Sequence, residues 1–454
     1  METIIKSSME SISFLTNFYE TQSQYIIRKT KKELKTHQLG FLLDMYLTIL
    51  GTGTEDDKKT NMFKNLELLA KSYIEIEEIK EEVISFKFID QKVRDKIDIA
   101  VSSENYRKSA VMPVMHIENT IIMLITRFEE FISHFIRYIY IKYPQKYLND
   151  KTICFSELLE SNTKSDINID LIREKIVDRE VDAIMRKSYE CWFDFFKEHN
   201  LNLNFLQKEM VFLKEIYATR NILVHNSGFV NDQYLLNVQN SIYKLGERVR
   251  ISDDFVKRSF ECIKTIILCV MLEAIRLDKR EKDSVSKAIF DYAYQELSLN
   301  NYHCCETVFC ALQNSQFTNE LYKQMSKVNY WLSKSELYGL ESIRTEIENY
   351  DISALDQTFV FAKHLLLCQY GEATTVLEEI IEMQKTPLSQ FESWPLFRKY
   401  KETCEYKDFK DRHPDLTTLA SFELNDEASI SNEETNKSVN AELNDIKGNS
   451  NDQL

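Results

Sequence analysis

The chain has 454 residues and a formal net charge of −15. That length suits two or three domains, and the charge excludes the broad basic face that coats nucleic acid by releasing counterions. Hydrophobic residues at 43% and charged residues at 28% are ordinary for a globular protein, while only 8 Gly and 5 Pro exclude the many tight turns of a sheet protein, so the expected class is all-α.

Met1 to Ser13 carries Glu2, Lys6 and Glu10 without an apolar core, unlike a signal peptide. No run of 18 uninterrupted apolar residues occurs, and the richest stretch, Thr265 to Ala274, is too short to span a bilayer. The nine cysteines are irregularly spaced in apolar stretches and read as small buried hydrophobes of a reducing compartment. A cytoplasmic protein without membrane contact is expected.

Residues 1–105 read as an N-terminal helical region broken at Gly51 and Gly53. That Gly pair lacks the Lys-Ser/Thr of a phosphate loop and reads as a turn. Leu66, Leu69, Tyr73, Ile76, Ile79 and Val83 recur at helical spacing, which predicts a helix over Leu66 to Phe86.

Residues 106–278 form the second expected domain. Ile117, Ile121, Leu124, Phe128, Phe131, Phe135 and Ile139 predict one long helix with a wide apolar stripe, ended by Pro144. A charged helix is expected over Asp170 to Phe196 and another over Leu206 to Val224, stopped by Asn226, Ser227 and Gly228. A last helix runs from about Asp253 to Leu277.

Residues 279–410 hold an internal repeat. Leu297, Tyr302, Cys305 and Val308 align without gaps with Leu332, Leu337, Leu340 and Ile343, and with Leu365, Tyr370, Ala373 and Val376. A period near 34 residues is that of a stacking helix-turn-helix unit. The pattern resembles the tetratricopeptide repeat, most clearly at Gln369 to Ala373, and implies a face for a protein partner or trigger. Residues 411–454 form an acidic tail: from Ala420 onward eight acidic residues stand against two basic ones. Such a composition buries too little apolar area to order itself, so a disordered tail is expected.

Three minor constellations carry little. His303, Cys304, Cys305 and Cys310 lack a C-x2-C partner pair, and adjacent cysteines on a helix diverge, so no metal is expected there. Glu129 and Glu130 lack the further carboxylates of a metal nuclease. Arg127 and His134 form a second Arg-x6-His match.

The segment that carries chemistry runs from Tyr217 to Gly228 and contains Arg220, Asn221 and His225. RNA brings its own nucleophile, the 2′-OH; cleavage then needs a proton carrier with a near-neutral pKa, which is histidine. It also needs a fixed cation for charge growing on the phosphate, which suits arginine. Asn221 and His225 are i and i+4 on a helix and share a face. Arg220 is rotated about 100° from Asn221.

This Arg-Asn-x3-His arrangement resembles the motif of HEPN-superfamily RNases, as does the acidic-aromatic stretch Phe128, Glu129, Phe131 and Ile132. The resemblance covers residues 106–278 and implies a HEPN-like helical bundle with a metal-independent endoribonuclease site and no cofactor. It implies catalytic roles for Arg220, His225 and Asn221, with Glu129 holding Arg220, and a homodimer whose two-fold cleft takes the RNA substrate. Joined to a partner-sensing repeat domain, such an enzyme resembles toxin and abortive-infection effectors of antiviral defence. Ser227 stands where some members carry an aromatic residue. The competing reading is a non-catalytic helical scaffold for protein or RNA binding, with Arg220 in a surface ion pair and His225 stabilising a helix C-terminus.

Overall fold

With so few glycines and prolines, helices run far before anything stops them. In a computed structural model, α1 covers Glu2–Thr52 and ends where Gly51 and Gly53 interrupt the sequence. The structure describes residues 1–80, 83–148, 151–152, 162–163, 166–167, 169–352, 354–384 and 387–414; Cys154 and the tail from 415 onward lie outside them. The protein is about 77% helical and belongs to the all-α class. It divides into two compact units, Met1–Glu273 and Ala274–Leu454.

In the first unit α1 is followed by a one-turn helix, Glu55–Lys58, and by α2, Asn61–Ala70. The helix expected over Leu66 to Phe86 stops at Ala70. Beyond it lies an antiparallel hairpin, β1 (Ile74–Lys80) and β2 (Val83–Phe88). The reason is a competing period of two. Ile74 and Ile76 alternate with Glu75 and Glu77, and Phe86 and Phe88 flank Lys87, whose ammonium lies 3.3 Å from Glu75. The apolar face closes on Leu43, Tyr46, Phe63 and Leu66. A two-residue pair, β3 (Asn162–Thr163) with β4 (Asp166–Ile167), is the other described hairpin.

The long helix, α3, spans Ile99–Lys142, so position 105 falls inside it and not at a domain edge. It runs antiparallel to α1. Gly40 meets Ser102, Phe41 stacks on Tyr106 at 4.2 Å, Asp44 accepts from Ser103 at 2.7 Å, and Glu33 accepts from Ser109 at 2.6 Å. A Cβ on Gly40 would lie 2.3 Å from the Ser102 Cβ, so only glycine permits this approach.

α3 also has an 18-residue window of mean hydropathy 1.3 and is long and apolar enough to cross a membrane by length and composition. Its second half, with Ile121, Leu124, Phe128, Phe131, Phe135 and Ile139, is buried within this unit. Around it lie α4 (Ile169–Met185), α5 (Tyr189–Glu198), α6 (Gln207–His225), α7 (Asp232–Asn237) and α8 (Asp253–Ala274). The single charged helix expected over Asp170 to Phe196 is thus two, separated at Arg186 to Ser188.

The second unit is a series of helix pairs. They are α9 (Lys282–Ser298) with α10 (Tyr302–Asn314), α11 (Glu320–Tyr338) with α12 (Arg344–Asn349), and α13 (Gln357–Leu366) with α14 (Tyr370–Gln384). The first and third pairs share one turn. Asn300 and Cys368 are left-handed, and the next residue's N–H reaches back to Glu296 and His364 respectively. The second pair departs, because α11 continues past Leu332 to Tyr338 and turns at left-handed Gly339. The gapless alignment of Leu332 therefore compares a mid-helix residue with residues near helix ends. A cavity of about 580 Å³ opens in this unit among Phe290, Tyr294, Asn329, Phe359 and Trp394, with no cationic side chain on its walls.

Candidate functional site

All three motif residues lie on the last turns of α6. The helix stops at His225, one residue past the expected end, because Ser227 and Gly228 both take left-handed φ angles, +51° and +78°. The Asn226 and Gly228 N–H groups both donate to the Ile222 carbonyl at 2.9 Å, so the helix end is closed by backbone. The chain then returns through an isolated bridge, Phe229 to Arg248.

The opposite flank of α6 is fixed by aromatics. Tyr217 stacks on Tyr189 at 4.8 Å and meets Trp192 edge-on at 6.2 Å, both from α5.

His225 is exposed and makes no hydrogen bond or ion pair among the described residues. Asn221 is exposed one turn earlier, and its Oδ1 accepts from Arg220 Nη1 at 3.2 Å. Arg220 itself is half-buried, its Nε enclosed without a partner. Glu129 of α3 lies in its field. Burial pushes the Glu129 carboxyl up, and the Arg220 guanidinium and Tyr217 hydroxyl pull it back part of the way. No hydrogen bond within normal geometry joins these groups, and the Tyr217 hydroxyl is buried unpartnered. Burial also holds that hydroxyl's pKa well above its usual value, so it stays protonated.

The surface ion pair considered for Arg220 does not form. The hydrogen bond expected from Glu129 is replaced by a looser electrostatic contact.

Five residues along a helix rise about 7.5 Å and turn about 140°. Arg220 and His225 of one chain therefore face different directions. Arg248 approaches the same helix end, its Nε 3.4 Å from where a Gly228 Cβ would stand, but it is paired with Glu118 at 2.9 Å. The alternative pair, Arg127 and His134, stands two turns apart on α3, and Arg127 is tied to Glu130 at 2.8 Å.

Tyr217 was legible in the sequence only as an apolar marker of its helix; its buried hydroxyl beside Arg220 depends on tertiary packing. Among the described residues no group of three or more His, Cys, Asp or Glu is gathered as for a metal ion. Cys304 and Cys305 are buried in α10. No protein-family model matches the sequence, and comparisons with curated proteins and with solved structures find no match.

Proposed function

We propose that the protein is a HEPN-type, metal-independent endoribonuclease, with tetratricopeptide-like pairs in its second unit, that acts as a toxin or antiphage effector in the cytoplasm. The observation that carries the proposal is the state of His225: an exposed imidazole on the last turn of its helix, uncommitted to any partner among the described residues, with Asn221 one turn behind it. A histidine kept for packing would be enclosed, and one kept for a structural pair would have its acceptor nearby. Arg220 adds a guanidinium whose Nε is unspent, in the field of the Glu129 carboxyl.

In this reading His225 takes the proton from the 2′-OH, which attacks the adjacent phosphorus. Arg220 stabilises the charge on the non-bridging oxygens, and the departing 5′-oxygen takes a proton from the protonated imidazole of the second copy's His225, giving a 2′,3′-cyclic phosphate and a 5′-hydroxyl. Because Arg220 and His225 of one chain diverge, the complete site is a two-fold composite in which each subunit supplies groups to a shared cleft. Val224, 45% exposed, lies within about 40° of Arg220 on α6 and offers apolar area to such an interface. A protein partner or trigger binds the second unit. The test is expression of the wild type beside His225→Ala in bacteria. Growth arrest with RNA fragmentation in the wild type alone supports the proposal; equal growth and intact RNA in both would sink it.

A further inference from the structure

A different face of α6 borders a second, smaller cavity. Glu215 and Thr219, one turn apart, form one wall; Tyr234 of α7, Tyr243 and Arg250 of the returning loop, and Phe255 of α8 are among the residues that line the rest. Its volume is about 240 Å³, below the ~300 Å³ at which drug-sized pockets begin, so it suits a fragment as small as one planar base.

The polar groups here are unusual in being unspent. Glu215 is half-buried yet makes no hydrogen bond or ion pair, and burial alone raises its carboxyl. Arg250 lines the same cavity, and its guanidinium also has no partner among the described residues. A half-buried carboxylate without a donor is costly, and this one shares its cavity with an exposed arginine whose guanidinium is also uncommitted among the described residues.

We infer that this cavity is a nucleobase pocket that reads guanine in the RNA substrate. The inference rests on the ribonuclease reading and names its substrate preference. Guanine alone among the four bases presents two adjacent donors, N1–H and N2–H, to the paired acceptors of a carboxylate, with O6 and N7 acceptors left for a guanidinium. Adenine and cytosine set an acceptor beside their amino donor, and uracil sets carbonyls on both sides of its single N–H, so each would leave a Glu215 oxygen facing a lone pair. Phe255 and Tyr243 supply faces on which a base stacks. The ten residues from Glu215 to His225 rise about 15 Å, so the base read belongs to a nucleotide flanking the cut.

The test measures binding apart from cleavage. Full-length His225→Ala protein is titrated calorimetrically with guanosine, inosine, adenosine and cytidine 5′-monophosphates. Guanosine monophosphate should bind best. Inosine monophosphate, lacking only the 2-amino group, should bind roughly ten- to a hundredfold more weakly, and the other two more weakly still. Adding Glu215→Gln should erase the guanine–inosine difference, and Arg250→Ala, an exposed change, should weaken guanine binding if the first variant loses its helicity. Equal affinities for guanosine and adenosine monophosphates, no binding of either, or an unchanged preference in both variants overturns the inference. If the wild type cuts RNA while guanosine monophosphate fails to bind, only the pocket falls. If it binds to a protein that cuts nothing, only the ribonuclease reading falls.

Discussion

Replacing Arg220 by alanine removes the cation nearest to a carboxylate that burial already disfavours. Glu129 is pushed up by desolvation, and the guanidinium is the larger of the two influences pulling it back. Leaving a partly buried charged acceptor without its neighbour costs about 1–3 kcal/mol. For a unit of this size about 1 kcal/mol shifts Tm by roughly 2–4 °C, so Arg220→Ala should melt about 2–12 °C lower at pH 8. The sign of the pH dependence follows from the direction of the shift. A carboxyl whose folded pKa lies above its unfolded value stabilises when protonated, and that contribution is lost as pH rises through the folded pKa. Without Arg220 the elevation grows, so the variant's deficit should be small near pH 4.5, widen as pH climbs past the ordinary carboxylate range, and then level off. Glu129→Gln, which cannot ionise, should relieve most of the deficit in the double variant, with a coupling of about 0.5–3 kcal/mol. Thermal melts of the four proteins at pH 4.5 and pH 8 measure this. A deficit equal at both pH values, or untouched by Glu129→Gln, would refute the assigned contact.

His225→Ala should abolish RNA cleavage while shifting stability by under about 0.5 kcal/mol, because the exposed ring makes no hydrogen bond, ion pair or ring contact among the described residues, whereas His134→Ala should keep full cleavage; a gel of RNA digests beside melting curves decides both, and the opposite pattern would move the site to α3. Gly40→Val should lower the urea midpoint, since its Cβ would sit 2.3 Å from the Ser102 Cβ and such overpacking costs about 1–3 kcal/mol; an unchanged midpoint would show that α1 and α3 do not approach as described. Mixing Arg220→Ala with His225→Ala chains should restore part of the cleavage that each alone lacks, through heterodimers carrying one intact composite half-site. No recovery in a verified heterodimer, or a monomer by light scattering at active concentrations, counts against the two-fold cleft.

Local chemistry made some of this architecture legible and long-range pairing hid the rest. The helix carrying the motif was placed to within a residue at each end, because Gly228 writes its stop signal into the chain and Met210, Leu213 and Tyr217 keep helical period. The buried stripe of α3 was equally plain. The hairpin was missed because Ile76, Ile79 and Val83 stand three and four residues apart, which hid the alternation of Ile74 and Ile76 and of Phe86 and Phe88, itself interrupted by a register shift between Ile76 and Glu78. The edge expected at 105 had no counterpart because α1 is fastened to α3 by Glu33, Asp44, Ser103 and Ser109, polar residues that read as solvated faces when their partners are some 60 to 80 positions away. The half-burial of Arg220, with its Nε enclosed, likewise had no pattern in the sequence around it. Glu215 and Arg250 carried no signal, since a cavity between a helix and a returning loop has no sequence pattern.

The most direct measurement is end-group analysis of RNA incubated with the purified protein and a chelator, using strands that carry a single 2′-deoxy nucleotide at the cut position as the comparison. Fragments ending in 2′,3′-cyclic phosphate and 5′-hydroxyl, formed by the wild type but not by His225→Ala and absent from the deoxy strand, are the expected result. Efficient cutting of the deoxy strand, a strict need for magnesium, or the same fragments from His225→Ala would contradict the proposed chemistry of Arg220 and His225.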